Sequence, residues 1–243
     1  MIALDTGTTD ATSSPPGVLP RLLVRWFFRP ANVAENLPLG MGMHRITLEG
    51  EALQNTRWTP GDKIQIQMGQ ALVTRTYTPV NWDATAGRAW FIAHAHAAGP
   101  GSKWVRNAYE GQACQIMGPR SSLNPSKAPS ADWLLLGDET AIGLAMACKT
   151  RHSFLEAGNA HETQNLCKTL GFPASTYQRQ PNETHLGTLF EDALAHAHGE
   201  SRFLLAGRAR SVQWLVKALR RHGVDPTRML TKAYWADGKA GLD

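Results

Sequence analysis

The residue pattern of this chain changes character once, at residues 124–131, and that change limits the fold more than any other feature. The stretch holds two prolines and two serines with no apolar period, the composition of a linker. Before it, short runs rich in β-branched and aromatic residues sit at 23–28, 43–49, 63–68, 72–79, 88–96 and 112–117. Thr59, Pro60, Gly61 and Asp62 form a turn that reverses the chain into the third run. Six closely spaced strands predict an antiparallel β-barrel, with a short helix at about 101–109 between the last two.

Beyond the linker the pattern alternates. Residues 133–136 are a continuous apolar run, as in a buried parallel strand. Gly137 ends it, and Asp138 can cap a helix running through Ala141, Leu144, Ala145 and Cys148. Helices are expected at 186–197 and 211–221, the latter ended by Gly223, and strands at 202–206 and 228–235. Residues 158–184 read poorly, with one strand somewhere within them. Strand–helix alternation predicts a doubly wound parallel α/β domain. The expected organisation is a disordered lead-in over 1–19, a barrel over 20–123, the linker, and the α/β domain over 132–243.

Bulk properties narrow the function classes. A chain of 243 residues can bury a sizeable core, and its net charge of +5 favours a solvated basic surface or an anionic small ligand. The cations are spread along the chain, which argues against a nucleic-acid binder. Three cysteines without metal-ligand spacing fit a reducing, cytoplasmic compartment. The first 17 residues lack the basic and apolar regions of a signal peptide, and no apolar run is long enough to span a membrane.

Two stretches carry candidate chemistry. On a strand, Arg75 and Tyr77 point to one face and Thr76 and Thr78 to the other, until Pro79 ends the ladder. A guanidinium about 7 Å from a phenol suits a ligand with a phosphate and a flat ring, and suits equally an edge strand with an exposed Arg and a packed Tyr. Gly99, Pro100, Gly101 and Ser102 open a helix, where free amides and close backbone approach favour an anion. Asp138 and Glu139 fill the next helix start with negative charge, and a G-x-G-x-x-G fingerprint is missing there, so any dinucleotide binds weakly or in a different way. His94 and His96 share a strand face without a recognisable third metal ligand, so no metal is expected. His196 and His198 lie near a helix C-terminus, as capping or surface residues.

Five segments together resemble one family. Arg75 to Pro79 resembles the Arg-x-Tyr-Thr flavin motif of the ferredoxin-reductase superfamily. His96 to Trp104, with its Gly-Pro-x-Ser-x-Trp core, is similar to a segment of the siderophore-interacting proteins, a branch of that superfamily. Gly118-Pro119-Arg120, then Gly137 to Ala141 (Gly-Asp-Glu-Thr-Ala), then Tyr234-Trp235 follow in the family's order. The resemblance implies noncovalent FAD and reduction of ferric siderophores to release ferrous iron. It implies flavin contacts from Arg75, Tyr77, Thr78, Pro79, His94, His96, Gly99, Gly101, Ser102, Trp104, Thr140 and Trp235, with no catalytic side chain beyond the flavin. NADH, NADPH or reduced ferredoxin is the expected donor. Arg208 and Arg210 are candidates for an NADPH phosphate, with a solvated Arg208 as the alternative. Arg228, Lys232 and Lys239 are candidates for an anionic ferric siderophore. The chain departs from the family at Arg208, where an acidic residue is expected, and after Trp235, where a basic residue is expected. A general flavin or ferredoxin–NADP-type reductase and a non-catalytic flavin or siderophore carrier are the competing readings. A monomer is expected.

Overall fold

The computed structural model describes residues 27–69, 73–96, 98–128 and 132–239. The expected lead-in over 1–19 lies outside them. Seven strands form one antiparallel sheet: β1 (Arg29–Gly40), β2 (Met43–Glu49), β3 (Lys63–Gln67), β4 (Thr74–Tyr77), β5 (Pro79–Asp83), β6 (Arg88–His94) and β7 (Ala113–Arg120). Their order is β4-β3-β7-β1-β2-β6-β5. The two outermost strands, β4 and β5, are consecutive in the chain with only Thr78 between them. A sheet whose first and last strands are one residue apart must curl onto itself, and this closes the barrel. Its interior is filled by Val33, Ile46, Leu48, Ile64, Ile66, Phe91 and Ile116, all fully buried.

The barrel has seven strands where the sequence predicts six. The expected first strand at 23–28 falls largely outside the described residues, and Phe27 and Phe28 are not in a strand. The first strand is β1, whose Pro30 and Pro38 hide it from a propensity reading. Pro38 sits at a register shift beside Gly40, where a missing donor costs little. The run at 72–79 is two strands, since the chain bends at Thr78 and Pro79 starts the opposite edge. Helix α1 (Pro100–Asn107) crosses between β6 and β7.

The second half is a five-stranded parallel sheet: β8 (Trp133–Asp138), β9 (His152–Ala157), β10 (Ala174–Gln178), β11 (Arg202–Arg208) and β12 (Met229–Trp235), in the order β10-β9-β8-β11-β12. Helices α2 (Ile142–Cys148), α3 (Ala160–Thr169), α4 (His185–His196) and α5 (Ala209–Arg221) connect the strands. The chain runs outward from β8 to β9 and β10, then returns to β11 on the other side of β8. The doubly wound switch point therefore lies between β8 and β11. The two halves share one apolar core, in which Met43, Ile92 and Leu123 pack with Leu135, Ile142, Leu144 and Ala145. Gly143 lets α2 lie close to the barrel, its α-carbon side facing the Thr78 carbonyl and Val80. Among the described residues no helix is long and apolar enough to cross a membrane.

Candidate functional site

The carboxyl ends of the parallel strands face the closing seam of the barrel, and a cavity of about 470 Å³ lies between them. Arg75, Tyr77, Thr78, His94, His96, Gly99, Gly101, Ser102, Thr140, Trp235, Lys232 and Lys239 all line it, so one space gathers residues from both halves. Pro79 and Trp104 do not. Pro79 is buried as the first residue of β5, and Trp104 packs behind Tyr77 against the barrel core, ring centroids 6.4 Å apart. Trp104 lies on α1 on the side turned toward the core, so its indole supports the phenol rather than meeting a ligand.

The first turn of α1 borders the cavity beside β4. α1 begins at Pro100 with Gly99 as its cap, and Gly101 and Ser102 present its first turn. A Cβ on Gly101 would stand 2.8 Å from Arg75 Cγ and 3.5 Å from the Tyr77 hydroxyl, so only glycine lets this turn close on the β4 side chains. The first turn of α1 thus packs against the stem of Arg75, whose Nη1 donates to the Thr74 carbonyl at 2.7 Å. Aromatic side chains also line the cavity. Tyr77 stacks one face on Phe91, 4.6 Å between centroids, and burial raises its pKa, so the phenol stays neutral. Thr78 bonds the Tyr234 hydroxyl at 3.3 Å.

Trp235 forms the wall opposite. Its Nε1 donates to Asp138 Oδ2 at 2.7 Å, and the ring lies beside His96, 5.5 Å between centroids. The guanidinium carbons of Arg179 and Arg208 stand 5.6 and 5.9 Å from the ring centre. Asp138 is wholly buried and also accepts from the Thr140 amide at 2.8 Å and the Arg208 amide at 2.7 Å. Burial raises its pKa to about 6, against the bonds from Thr140. Gly207 lies directly against this carboxylate: a Cβ there would sit 2.5 Å from Asp138 Cγ.

His94 closes β6 and His96 lies past its end, so the two do not alternate along one strand as expected. Their rings meet at 5.0 Å, and burial depresses the His94 pKa, which keeps that imidazole neutral near pH 7. Arg208 is neither solvated nor open to a phosphate. It is 9% exposed, donates to both Glu183 oxygens at 2.8 and 3.0 Å, and binds Asp237 at 2.8 Å. Arg210 is exposed and 3.4 Å from the same Glu183. Arg228 precedes β12, a full strand length from Trp235, and donates to the Ser201 and His198 carbonyls. It does not join Lys232 and Lys239 at the cavity, because a strand of seven residues separates its two ends by about 20 Å.

Sequence reasoning missed Lys63, Gln65, Arg120, Gly143 and Tyr234, which also line the cavity. Arg120 and Tyr234 stood inside resembling segments, while Lys63 and Gly143 had no local signal. With them the lining holds five Lys and Arg and, among the described residues, no Asp or Glu.

Residues 60–123 match the family model described as the siderophore-interacting FAD-binding domain. That segment, β3 to β7, is similar to that domain. No curated protein matches the chain. Among solved structures, a siderophore utilization protein from T. fusca superposes with a TM-score of 0.72 at 23% identity, over 89% of this chain and 95% of that one. The siderophore-interacting protein SipS from Aeromonas hydrophila gives 0.71 at 24%, over 87% and 92%. The ferredoxin reductase in carbazole 1,9a-dioxygenase gives 0.65 at 17%, over 86% and 66%. The fold is that of the ferredoxin-reductase-like proteins, a flavin-type barrel followed by an α/β sheet, as the sequence implies.

Proposed function

We propose that this chain is an FAD-dependent oxidoreductase that passes electrons to ferric iron held by a siderophore, which then leaves as ferrous iron. The observation that carries the reading is the cavity lining: the first turn of α1 beside Arg75, the aromatic rings of Tyr77, Tyr234 and Trp235, and five Lys and Arg with no Asp or Glu among the described residues. The residues fit FAD, since Gly101 leaves backbone open beside Arg75 where a side chain would intrude. When bound, the flavin would supply reversible uptake and release of electrons.

Arg75, Ser102 and the first-turn amides of α1 would hold the diphosphate. Tyr77, Thr78, Thr140 and Trp235 would border the ring, and neutral His94 would offer a hydrogen bond without adding charge. Lys232 and Lys239 also line the cavity and would draw in an anionic ferric chelate. Outer-sphere reduction needs no nucleophile or proton-transfer pair. The donor in this reading is NADH, NADPH or reduced ferredoxin, and the setting a reducing cytoplasm in which Cys114, Cys148 and Cys167 stay free. The barrel region to residue 123 would carry the flavin and residues from 132 onward the donor side, in a monomer.

The test is flavin content. The purified protein is expected to be yellow with one FAD per chain. Arg75→Ala should weaken FAD binding by about tenfold to a hundredfold, the worth of one charge-assisted hydrogen-bond donor. A colourless protein that takes up no added FAD, or full occupancy in Arg75→Ala, would contradict the proposal.

A further inference from the structure

At the carboxyl end of an open α/β sheet, free backbone amides and helix starts are what seat the phosphates of a dinucleotide. In this chain the protein's own side chains take several of them. At the switch point, Asp138 accepts the Thr140 amide after β8 and the Arg208 amide after β11, at 2.8 and 2.7 Å. The Gly158 amide after β9 donates to Glu139. The Gln180 amide beyond β10 donates to His185 Nδ1 at 3.1 Å. The start of α3 is closed by Asn159, which accepts the Glu162 amide at 3.1 Å.

The cations nearby are committed in the same way. Arg179 binds Glu139 at 2.8 Å, and Arg208 binds Glu183 and Asp237. The Trp235 indole lies beside both guanidinium groups, its nitrogen bonded to Asp138. A side chamber of about 380 Å³ opens past His94 and His96, and its lining includes Glu139 and Glu162. A pyrophosphate entering there would meet the Glu139 and Glu162 carboxylates, with the Gly158 and Glu162 amides already bonded.

We infer that Asp138, with the Arg208–Glu183–Asp237 ion pairs above it, occupies the dinucleotide seat from within, and that the flavin of the proposed reductase is reduced by an acidic one-electron carrier protein. This rests on the flavin reading above. The five Lys and Arg that line the cavity are complementary to the negative charge of such a carrier. Each reduced carrier gives up one electron and is oxidised, and each ferric ion accepts one and becomes ferrous. Two carriers and two protons fully reduce one flavin, which then serves two ferric ions.

The experiment uses the full-length FAD-loaded chain, so loss of FAD would count against the flavin reading and not against this inference. Calorimetric titration with NAD⁺ and NADP⁺ is expected to show no saturable binding at millimolar ligand. Under anaerobic conditions, photoreduced two-iron ferredoxin should bleach the flavin at least about a hundredfold faster than NADPH, at a rate that falls steeply with salt. A double variant, Glu183→Gln with Asp237→Asn, releases Arg208 and should gain measurable NADP⁺ binding. Micromolar NADP⁺ binding by the unmodified chain, bleaching by NADPH as fast as by ferredoxin, or a folded double variant that still ignores NADP⁺ would each overturn the inference.

Discussion

Asp138 shows how much one buried side chain decides. Its carboxylate holds the Trp235 indole, the start of the β8–α2 turn and the start of α5 together. Its folded pKa is raised from 3.8 to about 6, chiefly by burial. The folded chain therefore binds a proton that the unfolded chain releases. That contribution to stability is fully present below pH 3.8 and lost as the pH rises through about 6. A shift of this size corresponds to roughly 3 kcal/mol at most. Protonation also takes a lone pair from donors already bonded, so the indole N–H should sense it. The Trp235 indole resonance is expected to titrate near pH 6 and to lose that inflection in Asp138→Asn. An inflection that survives the substitution would take the titration away from Asp138.

Elements were legible where one force dominated. The apolar run of β8, the amphipathic helices α4 and α5, and the Gly223 stop, with φ of +84°, follow from local pattern alone. β1 was not legible, because its two prolines and two asparagines are tolerated only by pairing with β2 and β7. β9 and α3 were missed for a related reason. Ser153 and Glu156 interrupt the apolar run of β9, yet Ser153 bonds Thr150 and Glu156 bonds His185 and Ser211, partners that only the folded chain supplies. Arg75, Ser102 and Trp235 were readable as site residues, whereas Lys63 and Gly143 reach the cavity only through barrel closure. The Thr59–Asp62 turn offers a test at this scale. Gly61 has φ of +91°, and a Cβ there would fall 1.7 Å from the Leu123 carbonyl oxygen. Gly61→Ala should cost at least about 2 kcal/mol, combining strain with a backbone clash. That is a melting-temperature loss of roughly 4–8 °C in a chain of this size. Unchanged melting would contradict the turn geometry.

At the scale of the whole molecule, the barrel seam and the parallel sheet meet through a shared core and enclose one basic cavity. Only the assembled molecule has it, since Arg75 and Lys232 lie on different sheets. Charge reversal at Lys232 and Lys239 together should leave FAD content intact while weakening binding of an anionic ferric chelate at least about tenfold, with a reduced salt slope. Equal binding by the reversed and unmodified proteins would remove these lysines from the substrate path.

The central claim is that electrons held in this cavity pass to chelated ferric iron. It is tested most directly by a single turnover: photoreduced FAD-loaded protein mixed anaerobically with an anionic ferric siderophore, following flavin absorbance and a ferrous-specific trap together. Flavin colour is expected to return as ferrous iron appears, two ferrous ions for each flavin reoxidised. A flavin that stays reduced beside the ferric chelate, with no ferrous iron trapped, would contradict it.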